Sequence, residues 1–117
     1  SVKEPLKYLA LSNTIRSALT TWGKTLSNEV AKSNITVNNI LTGYFNTERL
    51  EQLNSEKAKK MGVKVEEVFD AMKNQVPAKR IGNPKEFGYL ATFLSSDYAS
   101  YINGINIAID GGLIKSL

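Results

Sequence analysis

The residues best suited to chemistry lie in a polar loop, residues 42–47 (Thr-Gly-Tyr-Phe-Asn-Thr), that follows an apolar, β-prone stretch. Gly43 has no side chain, so the backbone there can approach a bound group closely. Thr47 precedes a charged helical pattern, and a hydroxyl at a helix N-terminus is suited to an amide or an anion. Thr47 can also serve simply as the N-cap of that helix, and the two roles are compatible.

Composition excludes several other kinds of site. The 117 residues contain no Cys and no His, so disulfides, thiolate sites, the common zinc sites and a Ser-His-Asp triad are excluded within this chain. We therefore expect no metal. Because disulfides are absent, the sequence fits the reducing cytoplasm.

The balance of residues is that of an ordinary globular domain, with 42% hydrophobic and 22% charged residues. No apolar run approaches the roughly 20 residues that span a bilayer, so we expect no membrane contact. The net charge is +4, and the only local cluster of lysines is at Lys57, Lys59 and Lys60. A nucleic-acid surface needs a clustered basic face with motif support, so we expect a solvated helix and no nucleic-acid partner.

Helical and strand patterns on both sides must position the loop. A long amphipathic helix is predicted over residues 9–32 and a strand over residues 35–41, directly before the loop. The apolar positions of that helix recur at helical spacing: Leu11, Ile15, Ala18, Leu19, Trp22, Leu26 and Val30.

After the loop the pattern predicts three more helices and a second strand. The first two helices cover about residues 48–60 and 65–76. The run Asn83-Pro84-Lys85-Glu86 is a strong helix start, with Asn at the N-cap, Pro at N1 and Glu at N3. The second strand is predicted over residues 105–109. The face of the last helix that we expect to be buried consists of Phe87, Leu90, Ala91, Phe93 and Leu94.

The order of these elements predicts an α/β fold. Strands separated by helices should be parallel, with a right-handed crossover between them. Two parallel strands alone make a poor sheet, because parallel sheets are normally wider and covered on both faces. The chain on its own should therefore leave a strand edge and an apolar helix face exposed.

Four segments, in order, resemble the short-chain dehydrogenase/reductase family, and in particular its 3-oxoacyl-ACP reductase-like members. Residues 38–47 (NNILTGYFNT) are similar to the family's Asn-x-(Ile/Val)-x-Pro-Gly-x-x-x-Thr, with Thr42 in place of the proline. Residues 80–86 (RIGNPKE) are similar to Arg-x-Gly-x-Pro-x-Glu. Residues 93–97 and 103–112 resemble the C-terminal region of the family.

The resemblance implies the C-terminal portion of a Rossmann-like, doubly wound parallel sheet. Residues 1–117 then form the C-terminal half of the domain, and residues 48–76 form the variable region that covers the substrate. The family's Gly-rich phosphate loop has no counterpart in this sequence, so the N-terminal dinucleotide-binding half is absent from it. Ser1 would lie at or next to the family's catalytic serine.

The family's catalytic Tyr-x-x-x-Lys is altered in this chain. The resemblance puts Ser12 at the Tyr position and Arg16 at the Lys position. Arg16 keeps the positive charge that holds the ribose, whereas a serine hydroxyl is far less acidic than a phenol. Tyr8 is a substitute proton donor if the helix extends back one turn. Alternatively, Ser12 and Arg16 are a pair on the helix surface without a catalytic role.

The resemblance also assigns the loop to the cofactor, since the family binds the nicotinamide carboxamide with this backbone and threonine. Gly43, Phe45, Thr47 and Arg16 are the implied contacts to NAD or NADP. We expect part of an oxidoreductase that transfers hydride between this cofactor and a small carbonyl or alcohol substrate, inactive as an isolated piece. The alternative is a non-catalytic relative that serves assembly. In either case we expect a homo-oligomer, a dimer or a tetramer.

Overall fold

Helices and two strands alternate along the chain in a computed structural model that describes residues 2–5 and 8–116. The elements are α1 (Ala10–Val30), β1 (Asn39–Thr42), α2 (Glu48–Met61), α3 (Val65–Gln75), α4 (Pro84–Leu94) and β2 (Asn106–Ile109). Single turns of 3-10 helix follow α1 and α4, at Ala31–Ser33 and Asp97–Ala99. The predicted α/β class and order of elements are confirmed.

The two strands pair in parallel, as predicted. Asn39 lies opposite Asn106, and Thr42 lies opposite Ile109. Both strands therefore end at the same edge, where the loop 42–47 begins. Ligands of open α/β sheets bind beyond this carboxyl edge.

Strand β1 begins at Asn39, so the predicted start of the strand at residue 35 is wrong. At residues 37 and 38, side-chain hydrogen bonds contribute to the pairing with the chain near β2. The Asn38 Oδ1 atom accepts from the N–H of Ile105 at 3.3 Å, and the N–H of Val37 donates to Asn103 Oδ1 at 2.9 Å. These contacts, with the bond from the Gly104 N–H to the Val37 carbonyl at 2.9 Å, hold this segment beside the residues that precede β2.

Helix α1 is slightly shorter than predicted, and Asn34 ends the turn that follows it with a left-handed φ of 58°. The small residues Gly23 and Ser27 are its buried positions. The Asn103 side chain donates to the Ser27 carbonyl at 3.0 Å, and a Cβ atom on Gly23 would lie 3.2 Å from the side chain of Asn39 on β1. This small-residue face therefore packs against β1 and the turn before β2. The predicted apolar stripe lies largely exposed, with Trp22 at 59%. Exposure of an apolar helix face was the expectation for this chain.

The expectation of a buried face on α4 is wrong. None of its residues is buried, and Phe93 is 44% exposed. The apolar side chains follow helical spacing, but the chain's own elements do not cover them fully. In contrast, α2 and α3 bury Ala58 and Val68. Helix α2 ends at Gly62, which has a positive φ of 67° that glycine adopts readily.

Within residues 2–5 and 8–116, none of the helices is both long and apolar enough to pass through a membrane.

Candidate functional site

The loop 42–47 leaves the sheet through a very close contact at Gly43. Its N–H donates to the Ile109 carbonyl at 3.0 Å, which extends the pairing of β1 with β2 by one residue. A Cβ atom placed on Gly43 would lie 2.6 Å from the Cα of Asp110. Glycine is therefore required here by the neighbouring backbone, whatever ligand the loop binds.

Phe45 is fixed by an isolated parallel bridge to Gly82. The N–H of Gly82 donates to the Tyr44 carbonyl at 2.9 Å, and the N–H of Asn46 donates to the Gly82 carbonyl at 2.9 Å. Since such a bridge uses the groups on both sides of Phe45, its own N–H and C=O point the other way. These two groups make no hydrogen bond in the part of the chain that the structure describes.

An ion pair between Arg80 and Glu86 joins the two ends of the segment that contains Gly82. Arg80 donates to the two carboxylate oxygens of Glu86 at 2.8 and 2.6 Å, and the N–H of Asn83 donates to the same carboxylate at 2.7 Å. The Arg80 hydrogen bond, followed by that of Asn83, lowers the pKa of Glu86 to about 2. The same pairing raises the pKa of Arg80. Phe87, on the first turn of α4, packs edge-on against Phe45 with ring centroids 6.1 Å apart.

Thr47 is the N-cap of α2, and its Oγ1 accepts from the N–H of Leu50 at 3.3 Å. The prediction that Thr47 caps the helix is confirmed. A further role of its hydroxyl in cofactor binding stays a prediction.

An open cleft of about 560 Å³, which we call the loop cleft, brings together four of the residues predicted to contact the cofactor. Arg16 reaches it from α1, and Gly43, Phe45 and Thr47 belong to the loop itself. Arg16 also donates from Nε to Ser12 Oγ at 3.2 Å, so the predicted pair is in contact. Ser12 is not among the described residues that line the cleft.

Tyr8 does not lie on α1, which begins at Ala10, so the helix does not extend back to Tyr8, which its role as substitute proton donor required. Its φ is 65° and its side chain is fully exposed. A left-handed residue at this position does not continue the helix toward the N-terminus. Ser1, the other candidate from the sequence, lies outside the described residues.

Seven residues that line the loop cleft were not predicted as cofactor contacts from the sequence. They are Thr42 and Tyr44 in or beside the loop, Arg49, Leu50 and Leu53 on α2, and Pro84 and Phe87 on α4. The sequence could have indicated the three residues on α2. Once Thr47 is taken as the N-cap, residues 49, 50 and 53 fall on one side of the helix that follows the loop. In the described ranges, no group of three acidic, His or Cys side chains is arranged to hold a metal ion.

Comparison with known proteins gives the same family for almost the whole chain. Residues 5–114 match the family model described as enoyl-(acyl carrier protein) reductase. The chain is 35% identical over 115 residues to the NADPH-dependent reductase BacG of Bacillus subtilis, covering 98% of this chain and 44% of BacG. It is 32% identical over 90 residues to the 3-oxoacyl-[acyl-carrier-protein] reductase MabA of Mycobacterium tuberculosis, covering 77% of this chain and 32% of MabA.

Solved structures agree with this assignment. L-sorbose reductase from Gluconobacter frateurii, determined with NADPH and L-sorbose, superimposes with a TM-score of 0.91 at 33% identity. The match covers 97% of this chain and 43% of that structure. The chain thus spans less than half the length of these relatives, with the fold of their Rossmann-type sheet. It belongs to the short-chain dehydrogenase/reductase family of oxidoreductases.

Proposed function

We propose that this chain forms the nicotinamide-binding and substrate-facing part of an oxidoreductase that uses NAD or NADP. The reaction is hydride transfer between the cofactor and a small carbonyl or alcohol substrate. The observation that carries the proposal is that the backbone N–H and C=O of Phe45 make no hydrogen bond to the described residues, and that Phe45 lines a cleft shared with Arg16 and Thr47. The names of the similar proteins, which include NADPH-dependent reductases, support a nicotinamide cofactor.

The groups in the loop cleft fit such a cofactor. A carboxamide has one acceptor and two donors, which the Phe45 N–H and C=O complement. Arg16 supplies guanidinium donors for ribose hydroxyls, since within the described residues its Nε atom alone is engaged, with Ser12. The Thr47 hydroxyl donates from the N-terminus of α2. When bound, the nicotinamide supplies or accepts the hydride.

The site has no efficient proton donor at the position where the family has its tyrosine. Ser12 occupies the position of the family's tyrosine, and the structure shows its oxygen accepting from Arg16. A serine hydroxyl is a poor acid, and no His is present to assist it. We therefore expect the 117 residues alone to show no turnover.

Nicotinamide binding can be tested separately from turnover. Reduced nicotinamide mononucleotide lacks the adenosine half, so it probes the loop cleft alone, and its fluorescence reports binding. We expect Arg16→Met to weaken its binding about tenfold, the effect of one or two charge-assisted hydrogen bonds. Lys32→Met, which removes an exposed cation just beyond α1, is the control and should have no effect. Equal affinity of the wild type and Arg16→Met would contradict the proposal.

A second candidate function is assembly without catalysis, and the exposed apolar residues of α1 favour it. Leu11, Ile15, Leu19 and Trp22 are each more than half exposed. A contiguous apolar stripe of this kind is typical of an interaction surface. Homo-oligomer formation through this face is compatible with either function, and sedimentation of the purified chain measures it.

Two further expectations belong to the same proposal. The helical hairpin of α2 and α3, within residues 48–76, would cover the substrate, because α2 contributes one wall of the loop cleft. The absence of cysteine supports a cytoplasmic location.

A further inference from the structure

We infer that the loop cleft selects a substrate that carries an anionic group beside a short apolar part, and that Arg49 is the residue that recognises the anion. This inference rests on the proposed function and names its substrate class. It follows from the charge and the walls of the cleft.

Two of the three arginines of the chain line the loop cleft, and neither pairs with a carboxylate of the described residues. Among those residues Arg16 bonds to the Ser12 hydroxyl alone, and Arg49 makes no hydrogen bond or ion pair. The third arginine, Arg80, pairs with Glu86. No Asp or Glu is among the described residues that line the cleft. The cleft therefore presents two guanidinium groups that an anion can pair with.

The acidic residues of α2 lie on a different side of the helix from Arg49. Glu48, Glu51 and Glu56 line a separate depression with Lys59, whereas Arg49 lines the loop cleft. Because residues 48 and 51 are rotated away from residue 49 on a helix, these carboxylates do not compensate its charge within the cleft. Because the carboxylates of α2 lie on one side of the helix and Arg49 lies on the other, the Arg49 side favours an anionic ligand.

Apolar side chains line the cleft beside these arginines. Leu50 and Leu53 follow Arg49 on α2, and Phe45 and Phe87 also line it. A cleft of about 560 Å³ has the volume of a typical small-molecule site. A carbonyl compound with a carboxylate and a branched alkyl group satisfies both the arginine and the leucines.

The test compares an acid with its neutral ester on the isotope-labelled chain. The probes are 4-methyl-2-oxopentanoate and its methyl ester, and the readout is the amide shifts of Leu50 and Leu53 during titration. We expect the acid to bind about tenfold more tightly than the ester, since a hydrogen bond to a charged group contributes about that factor. Arg49→Met should remove the difference by weakening the acid alone, and Arg49→Lys should restore part of it. Lys57→Met removes a positive charge from α2 outside the cleft and should change nothing.

Equal binding of acid and ester, or unchanged binding of the acid by Arg49→Met, would overturn the inference. A third titration, with inorganic pyrophosphate, distinguishes a substrate anion from a cofactor phosphate. If Arg49→Met weakens pyrophosphate but leaves the acid unchanged, Arg49 serves the cofactor and the inference is wrong. Failure of the proposed function gives a different result. In that case reduced nicotinamide mononucleotide does not bind, while the affinities of the acid and the ester still differ.

Discussion

Gly43 is the residue at which the loop and the sheet come into closest contact. A methyl group at this position would lie 2.6 Å from the Asp110 backbone. Asp110 cannot easily move, because its carboxylate accepts the N–H groups of Gly112 at 2.9 Å and Ile114 at 2.8 Å. The residue predicted from sequence for its approach to a ligand is thus also required by the fold.

We expect Gly43→Ala to lower the free energy of unfolding by about 1–3 kcal/mol, as overpacking does. Gly88→Ala is the matched control, because a Cβ atom there meets nothing within 4 Å. Gly88 lies within α4, so its replacement should stabilise the chain by about 0.5–1 kcal/mol. Urea denaturation measures both variants. A Gly43→Ala chain as stable as the wild type would show that the loop can move away from β2.

Among the acidic residues that the structure describes, Glu86 has the pKa that departs most clearly from its ordinary value. Its folded pKa of about 2 lies below the ordinary value of 4.5, because Arg80 and the Asn83 N–H stabilise the carboxylate. The stabilisation is therefore fully present above pH 4.5 and is lost as the pH falls from there through about 2. We expect the side-chain carboxyl carbon of Glu86 to titrate near 2 by NMR.

Removing the guanidinium tests the cause of this shift. Arg80→Met should move the pKa of Glu86 upward toward 4.5, and Lys85→Met, which removes a neighbouring cation that does not bond to Glu86, should leave it unchanged. An unchanged Glu86 pKa in Arg80→Met would mean that the Asn83 N–H alone is the cause.

Helix α4 shows how a local sequence signal can determine an element. Asn83 accepts from the N–H of Lys85 at 2.9 Å, Pro84 is the first helical residue, and Glu86 reaches back to the N–H of Asn83. Each of these bonds joins residues at most three positions apart. The start of the helix was therefore predictable from the sequence alone.

We expect Asn83→Ala to lower the free energy of unfolding by about 1 kcal/mol, the usual cost of losing an N-cap. Asn74→Ala is the control, since the Asn74 side chain makes no hydrogen bond in the described part of the chain. Thermal unfolding followed by circular dichroism compares the two. A loss of the same size in both variants would count against a capping role for Asn83.

Strand β1 and the site show where prediction from sequence stops. The start of β1 depends on Asn38 and on Asn103, more than 60 residues away in the chain. The bridge that points the Phe45 N–H and C=O away from Gly82 also depends on a residue distant in the chain. Residue types in the loop identified Gly43 and Thr47 as candidates and the family resemblance added Phe45, but the place of Arg49 in the loop cleft needed the packing of α2 beside the loop.

At the scale of the whole molecule, the main feature is apolar surface that the described residues do not cover. Helix α1 packs through Gly23 and Ser27, which leaves Leu19 and Trp22 more than half exposed. We expect the chain to self-associate through this face, because burying such area from water is favourable at roughly 25 cal/mol per Å². Trp22→Ser with Leu19→Ser should shift the sedimentation equilibrium toward monomer.

Met61→Ser is the control for this measurement, since Met61 is 58% exposed at the end of α2. It should leave the association constant unchanged. A wild-type chain that sediments as a monomer at the highest attainable concentration would contradict association through α1.

The central claim is that the Phe45 backbone and its neighbours in the loop cleft bind nicotinamide. The most direct test is the amide spectrum of the isotope-labelled chain during titration with reduced nicotinamide mononucleotide. The account predicts the largest shifts at Phe45 and Thr47, with Tyr98, which is 91% exposed and does not line the cleft, unchanged. Binding that shifts the amides of α1 or α3 while Phe45 stays unchanged would contradict it.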